Sequence, residues 1–267
     1  MSQVNRLAKG GRIDRSQPLS FTFNGQAYQG YAGDSLAAAL LANGVDIVGR
    51  SFKYSRPRGI VAAGAEEPNA VLQIGSTEAA QIPNVRATQQ ALYANLTATS
   101  TNGWPSVNTD LMGILGKVGG GMMPPGFYYK TFMYPQNLWM TYEKYIRKAA
   151  GLGRSPKEND PDIYDYMNQH CDVLVVGAGP AGLAAALAAA PSGARIAVLD
   201  DNPAAGGQIW RDGPQAHIPK LAREHRQRLE TQANIELLPA SRVVAMAGPQ
   251  ALLVEDPEQG RPDDYAA

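Results

Sequence analysis

The sequence predicts a mixed chain in which an α+β unit is followed by an α/β unit. Three observations predict this fold class. An alternating segment with a central Asn-Gly, followed by an alanine-rich helix pattern, occupies residues 19–43. A glycine motif directly after a short β-branched run occupies residues 172–182, and a stretch rich in glycine, proline and aromatic residues separates the two. With 44% hydrophobic and 18% charged residues, the 267-residue chain has the composition of a soluble globular protein.

The first unit begins with a predicted hairpin. The segment LSFTFNGQAYQGY alternates apolar and polar residues on either side of Asn24-Gly25, a dipeptide suited to the positive φ angles of a type I′ turn. Asp34 or Ser35 can cap the following helix, LAAALLANG, and the run VLQIGS predicts a later strand. Hairpin, helix and strand in this order resemble a β-grasp domain.

The second unit opens with a motif that indicates its ligand class. Residues 172–176 form a short β-branched run that is typical of a buried parallel strand. Gly177, Gly179 and Gly182 follow in the GxGxxG spacing, before an alanine-rich helix. The first glycine permits the tight turn, the second lets a pyrophosphate approach the backbone, and the third allows the helix to pack closely on the strand. The helix N-terminus then offers N–H groups to the phosphates.

A second predicted strand, RIAVLD, ends in Asp200, 18 residues beyond Gly182. A carboxylate at this position accepts hydrogen bonds from the adenosine ribose and repels a 2′-phosphate, which disfavours NADP. Asp201 is adjacent and can share this role. The runs IELLP, RVVAMAG and ALLVED then predict a third parallel strand and the start of a β-meander. Together these features indicate an incomplete Rossmann-type dinucleotide-binding domain.

The pattern divides the chain into four predicted segments. They are an N-terminal arm (residues 1–17), the β-grasp domain (18–100), an irregular aromatic-, glycine- and proline-rich connection (101–165) and the dinucleotide-binding domain (166–267).

Two groups of motifs carry a resemblance to known families. VVGAGPAGLAAA, the acidic strand end and GGQ resemble the two-dinucleotide-binding flavoproteins, in which the Gly-Gly pair lies near the cofactor's phosphate and ribose. SFKYSRPRGI, EEPNAVL, GFYYKTFM and AAGLGR are similar to the alpha subunits of heterotetrameric sarcosine oxidases, over about residues 19–240. The cofactor-binding residues predicted from motif and resemblance are Gly177, Ala178, Gly179, Pro180, Ala181, Gly182, Asp200, Asp201, Asn202, Gly206, Gly207 and Gln208.

The resemblance implies the cofactor-binding N-terminal portion of an oxidoreductase alpha subunit. In the full complex, with beta, gamma and delta subunits, sarcosine is oxidatively demethylated to glycine, oxygen is reduced to hydrogen peroxide and the one-carbon unit passes to tetrahydrofolate. NAD is the expected dinucleotide, and FAD, which the related cyanide synthase and opine oxidase subunits bind, is the alternative. The other functions that stay open are membership of an opine- or amino-acid-oxidising flavoenzyme complex and a truncated, non-catalytic interaction subunit.

The resemblance also bears on metal binding. Relatives carry the cysteines of a 2Fe–2S cluster after a Pro-Arg-Gly, and Ala62, Glu67 and Ala70 stand at the corresponding positions of this chain. The single cysteine, Cys171, precedes a predicted buried strand and is expected to be inert. We therefore expect no iron–sulfur cluster and no other metal site.

Charge and histidine content narrow the remaining functions. Because 24 basic residues balance 24 acidic ones, the basic cluster at residues 50–58 does not indicate nucleic-acid binding, and we expect its cations to pair with carboxylates. None of the three histidines lies in a catalytic arrangement, so no catalytic residue is predicted.

No secretory signal or membrane-spanning run is evident, which predicts a cytoplasmic chain. Family members are much longer, so we expect a fragment or a truncated product.

Overall fold

The computed structural model describes residues 3–11, 13–52, 54–111, 113, 134–159, 167–202, 204–207, 220–248 and 250–255. Much of the predicted connecting segment and the predicted ligand residue Gln208 lie outside these residues.

The chain forms two compact units, Met1–Arg6 with Ser16–Asp162, and Leu7–Arg15 with Ile163–Ala267. Both combine helices with sheets, so the predicted mixed α/β class is confirmed. Among the described helices, none has the length and apolar character needed to cross a membrane.

The first unit contains a mixed five-stranded sheet and a short helix packed against it. Its described strands and α-helices are β1 (Asp14–Phe23, which belongs to this unit from Ser16 on), β2 (Gln26–Ala32), α1 (Leu36–Ala42), β3 (Gly49–Arg50), β4 (Pro57–Arg58), β5 (Val71–Ile74), β6 (Ile82–Arg86), β7 (Thr97–Ser100) and α2 (Trp139–Ala150). The strand order in the sheet is β2-β1-β7-β5-β6. Strands β1 and β7 run parallel, whereas β5 is antiparallel to both of its neighbours.

Local sequence explains the start of this unit. Asn24 and Gly25 have φ angles of 51° and 78°, as a type I′ turn requires, and they join β1 to β2. Of the two candidate caps for α1, Ser35 is the N-cap, and its hydroxyl accepts a hydrogen bond from Ala38 N at 3.2 Å. The buried face of α1 and the inward residues of β1, β5 and β7 form one apolar core that includes Phe21, Leu36, Leu40, Leu72 and Leu96.

Asp34, the other candidate cap, instead fastens the N-terminal residues to this core. Its carboxylate accepts hydrogen bonds from Arg6 Nη1 at 2.8 Å and Arg6 Nη2 at 2.6 Å, and from Tyr31 N at 3.0 Å. The Asp34 side chain is 1% exposed and that of Arg6 is 15% exposed. This two-point contact is therefore a buried, hydrogen-bonded ion pair.

The second unit is built around a parallel three-stranded sheet. Its described elements are β8 (Val173–Val176), α3 (Pro180–Ala189), β9 (Ile196–Leu199), α4 (Lys220–Glu230), β10 (Ile235–Leu238), β11 (Ser241–Ala247) and β12 (Gln250–Glu255). The strand order is β10-β9-β8, and β9 in the middle is buried along its whole length. The predicted third parallel strand is confirmed, because Ile235 pairs with Ile196 in parallel register. Strands β11 and β12 form a separate antiparallel pair.

The buried ion pair leads to a first prediction. Asp34→Ala should lower the free energy of unfolding by about 3 kcal/mol, because it leaves the Arg6 guanidinium buried without its anion. Chemical denaturation of the full chain measures this loss. The exposed i,i+4 pair of α2 gives a matched control: Glu143→Ala, which removes the partner of Arg147, should cost no more than about 1 kcal/mol. Equal losses of unfolding free energy in the two variants would contradict the assignment of Arg6 and Asp34 as a buried ion pair.

Candidate functional site

The candidate site begins where β8 ends and the chain turns into α3. Gly177 has a φ of +99°, which a side chain would disfavour, and its N–H donates to Leu199 O at 2.7 Å. Gly179 is the N-cap of α3 and Pro180 opens the helix, where a missing N–H has no cost. The N–H groups of the first helical turn have no partner within the helix and point out of its N-terminus. This turn therefore presents the donors that an anion needs.

Gly182 brings the helix close to the strand. A Cβ atom added at Gly182 would overlap the carbonyl oxygen of Gly177 and lie 3.3 Å from Val175 Cγ1. Only glycine at this position lets the first turn of α3 pack against the end of β8. The third glycine of the motif thus has the packing role that the spacing predicts.

A second glycine-containing segment lies against this turn. Gly206 N donates to Ala178 O at 2.8 Å, which joins the segment after β9 to the glycine turn. Gly207 has a φ of +58°, and a Cβ atom there would lie 3.0 Å from Gly179 Cα. Among the described residues, a Cβ atom on Gly179 itself would have only Gly207 Cα within 4 Å, at 3.9 Å. The two glycines thus approach each other closely in front of the helix.

Asp200, at the end of β9, ties these segments together. The residue is 6% exposed, and its Oδ2 accepts a hydrogen bond from Ala178 N at 2.6 Å. Its Oδ1 accepts from Asn202 N at 2.8 Å and from Asn202 Nδ2 at 2.7 Å. Since a carboxylate has about four acceptor positions, these three bonds leave capacity for a further donor such as a ribose hydroxyl.

Asp201 and Arg242 flank this carboxylate. Asp201 Oδ1 accepts from Asn202 Nδ2 at 3.1 Å, and its Oδ2 lies 3.7 Å from Arg242 Nη2. Both side chains are partly exposed, so this pair is accessible where the Asp200 carboxylate is mostly covered. Arg242 could not be predicted from the sequence, since a single arginine at the start of β11 carries no motif.

The structure therefore brings the predicted residues of three chain segments together through direct contacts. The glycine turn, the acidic strand end and the Gly-Gly pair meet at the carboxyl ends of β8 and β9, the edge where open α/β sheets bind ligands. The described members of the set are Gly177, Ala178, Gly179, Pro180, Ala181, Gly182, Asp200, Asp201, Asn202, Gly206 and Gly207.

A second organised loop, residues 59–70, lies in the first unit between β4 and β5. Glu67 is 1% exposed, and its Oε2 accepts hydrogen bonds from Val61 N at 2.8 Å and Ala62 N at 2.7 Å. Its Oε1 accepts from Asn69 N at 2.7 Å and Ala70 N at 3.1 Å. Burial raises the pKa of this carboxyl group, but the four N–H donors outweigh burial and hold the pKa below its ordinary value. Glu67 is thus a buried anion held by backbone.

Two segments of the chain match the models of known protein families. Residues 172–248, which contain the glycine turn and Asp200, match the family described as "FAD dependent oxidoreductase". Residues 16–103 match a "2Fe-2S iron-sulfur cluster binding domain". The candidate site and its sheet thus lie within the stretch that matches this oxidoreductase family.

Curated relatives make the relationship more specific. The chain is 50% identical over 237 residues to the sarcosine oxidase alpha subunit of Rhizobium meliloti (strain 1021), covering 87% of this chain and 24% of the relative. It is 36% identical over 213 residues to the corresponding protein of Corynebacterium sp. (strain U-96), covering 78% of this chain and 17% of the relative. An opine oxidase subunit of Agrobacterium tumefaciens (strain Ach5) is 68% identical over 51 residues, 19% of this chain and 9% of the relative.

The resemblance inferred from the sequence is confirmed: the chain is homologous to sarcosine oxidase alpha subunits over most of its length. It spans about a quarter or less of the length of these relatives.

The match of the first unit corrects the cofactor expectations. The prediction of no iron–sulfur cluster is contradicted, because residues 16–103 match a cluster-binding family. The residues present do not fit thiolate ligation of such a cluster, since this range contains no cysteine. Within the described residues, no group of three or more His, Cys, Asp or Glu side chains could hold a metal ion. Three residues stand at the positions of the relatives' cysteines. Two of them, Ala62 and Ala70, donate their N–H groups to the side chain of the third, Glu67.

The packing of the glycine turn leads to a second prediction. Gly182→Ala should lower the free energy of unfolding by about 3 kcal/mol, because the added methyl group meets backbone that has nowhere to move. Gly179→Ala is the matched control in the same turn, where the added methyl has room and φ is −71°, and it should cost no more than about 1 kcal/mol. Thermal or chemical unfolding compares the two variants. A Gly182→Ala protein as stable as the Gly179→Ala protein would contradict the close packing.

The buried Glu67 gives a third prediction. Because the folded state lowers its pKa, the stabilisation is present above the ordinary value of 4.5 and is lost as the pH falls through the folded pKa. The stability difference between wild type and Glu67→Gln should therefore shrink below about pH 4.5, as denaturation at several pH values measures.

The neighbouring carboxylate provides the control for this pH dependence. Glu66 is a second acidic side chain bonded to this loop, and its Oε1 accepts from Ala63 N and Gly64 N. Glu66→Gln should keep the acid-linked loss that Glu67→Gln removes. Parallel pH profiles for wild type and Glu67→Gln would show that the Glu67 carboxylate is not the titrating group.

Proposed function

We propose that this chain is the dinucleotide-binding portion of a sarcosine oxidase alpha-like subunit. The observation that carries the proposal is the hydrogen bond from Ala178 N to Asp200 Oδ2, together with that from Gly206 N to Ala178 O. These bonds hold a helix N-terminus, an acidic strand end and a Gly-Gly pair at one edge of a parallel sheet. Homology to sarcosine oxidase alpha subunits adds the class of complex.

In fold terms, we assign the second unit to the Rossmann type and the first to the β-grasp type. The order β10-β9-β8 corresponds to the 3-2-1 half of a doubly wound sheet, with the ligand edge at the carboxyl ends of the strands. The first unit has a mixed sheet with β1 and β7 parallel and α1 packed on it. Both assignments agree with the order of elements expected from the sequence.

The proposed ligand is FAD. Support comes from the description of the family that residues 172–248 match, which names FAD. The first turn of α3 would receive the pyrophosphate, with Gly179 and Gly207 leaving room for close approach. Asp200, with Asp201 beside it, would accept hydrogen bonds from the adenosine ribose hydroxyls.

The work of this chain's residues is binding and orientation. When bound, a flavin supplies the two-electron acceptor of an amine oxidation. The glycine turn fixes the pyrophosphate, and Asp200 holds both the turn and the ribose. We assign oxidative demethylation of sarcosine to glycine to the full assembly with its partner subunits, not to side chains of this chain.

A second candidate is the corresponding subunit of an opine-oxidising complex. It is favoured by the 68% identity over 51 residues to an opine oxidase subunit. The proposed dinucleotide site is common to both candidates, so the amine substrate separates them. Activity of the reconstituted complex on sarcosine and on an opine decides between the two.

A direct binding experiment tests the dinucleotide proposal. The purified 267-residue chain should bind FAD, measured by flavin absorbance after gel filtration and by native mass spectrometry. Gly179→Ala should weaken the affinity roughly tenfold or more, about 1.4 kcal/mol, because its methyl group occupies the space of the pyrophosphate. A stable Gly179→Ala protein shows that the effect is on the ligand. Thermal stabilisation by NAD but not by FAD would reject the flavin, and no stabilisation by either would reject the proposal.

A further inference from the structure

The loop at residues 59–70 has features of an anion-binding site whose occupant is part of the chain. Four backbone N–H groups point at one carboxylate, two from the start of the loop and two from its end. Two donors bind each oxygen of Glu67, at distances between 2.7 and 3.1 Å. Converging backbone N–H groups of this kind form the concave anion sites called nests.

The electrostatics of the loop also fit an anion. Within the described part of the chain, the donors that bind the Glu67 carboxylate are backbone N–H groups, and none of the ion pairs there involves it. With 1% of the residue exposed, little of its charge is solvated by water. The backbone dipoles therefore carry the stabilisation of a buried negative charge.

The framework of the loop has anchors that do not pass through the Glu67 carboxylate. Asn69 Nδ2 donates to Gly59 O at 3.0 Å and closes the ends of the loop. Thr88 Oγ1 donates to Gly64 O at 2.8 Å, and Ala87 N donates to Ala70 O at 2.9 Å, which holds the loop on the neighbouring chain. Removal of the carboxylate should thus leave the four N–H groups near their places, with a space between them.

We propose that the N–H groups of Val61, Ala62, Asn69 and Ala70 form an anion-binding site for a small carboxylate, which the side chain of Glu67 fills from within the chain. Glu67→Ala vacates this site and makes it available to an external ligand. Acetate is the matching probe, because its four heavy atoms correspond to the Cγ, Cδ, Oε1 and Oε2 atoms that the substitution removes. The proposal is independent of the dinucleotide site in the second unit.

The test is rescue of stability by acetate. Glu67→Ala should reduce the folding equilibrium constant roughly a hundredfold, because four buried N–H groups lose a charged acceptor. Sodium acetate should raise the folding equilibrium constant of Glu67→Ala about tenfold, and the effect should saturate with acetate concentration. Urea denaturation at about pH 7 measures this. Sodium chloride at equal ionic strength should restore much less, since it is not a two-oxygen acceptor.

Two further variants separate the nest from general effects of salt. Glu66→Ala removes a neighbouring carboxylate that bonds a different pair of N–H groups, and acetate should stabilise it no more than wild type. Glu67→Gln keeps the side-chain volume but presents an NH₂ group to one N–H pair, so it should be destabilised and gain nothing from acetate. Equal effects of acetate and chloride on Glu67→Ala would overturn the proposal.

Hydrogen exchange in the wild-type chain decides the matter if Glu67→Ala does not fold. The amides of Val61, Ala62, Asn69 and Ala70 should exchange at least about tenfold more slowly than those of exposed loop residues such as Ser76 and Glu78. Their protection should fall together as acid protonates Glu67. Exchange of the four amides at the rate of the exposed loop would overturn the proposal.

Discussion

The candidate dinucleotide site depends on the hydrogen bond between Ala178 N and the Asp200 carboxylate. This 2.6 Å contact joins the turn after β8 to the end of β9, two points that are 22 residues apart in the chain. Glycine at three positions makes the turn possible, but glycine also gives it many conformations in the unfolded chain. A buried acceptor at the end of the neighbouring strand gives the turn one conformation. The pre-organisation of the proposed pyrophosphate site therefore comes from an acidic residue as much as from the glycines.

Buried carboxylates organise loops elsewhere in the chain in the same physical way. Asp34 holds the N-terminal residues through the Arg6 guanidinium, and Glu67 holds both halves of its loop through four N–H groups. In each case, a charge is removed from water and its donors must replace the lost hydration. Loss of one such carboxylate leaves several donors unsatisfied at once. Asp34, Glu67 and Asp200 therefore determine much of the local conformation of the loops they hold.

Local patterns predicted much of the fold, because turn chemistry and strand spacing act over short distances. The Asn24-Gly25 turn, the helix after Ser35 and the parallel strands around the glycine motif follow from residues near one another in sequence. Sequence alone did not reveal that Asp200 also fastens the glycine turn, since that contact arises only when two strands pair. For Arg50, in the basic cluster, the expected carboxylate partner is not found within the described residues. Its guanidinium instead donates to backbone carbonyls up to 58 residues away, among them Val107 O at 2.6 Å, and contacts of this range could not be predicted from the local sequence.

The charges around Asp200 bear on whether the proposed site accepts an adenosine ribose with or without a 2′-phosphate. Asp200 and Asp201 put two carboxylates next to the expected position of the adenosine ribose, and Arg242 lies 3.7 Å from Asp201. Recognition of a 2′-phosphate requires a cation that is available to it. Here the nearby guanidinium faces a carboxylate of its own, and Asp200 is fixed by Ala178 and Asn202 so that it cannot turn away. A 2′-phosphate would therefore meet net negative charge, and the proposed site would favour a dinucleotide with an unphosphorylated adenosine ribose, such as FAD or NAD.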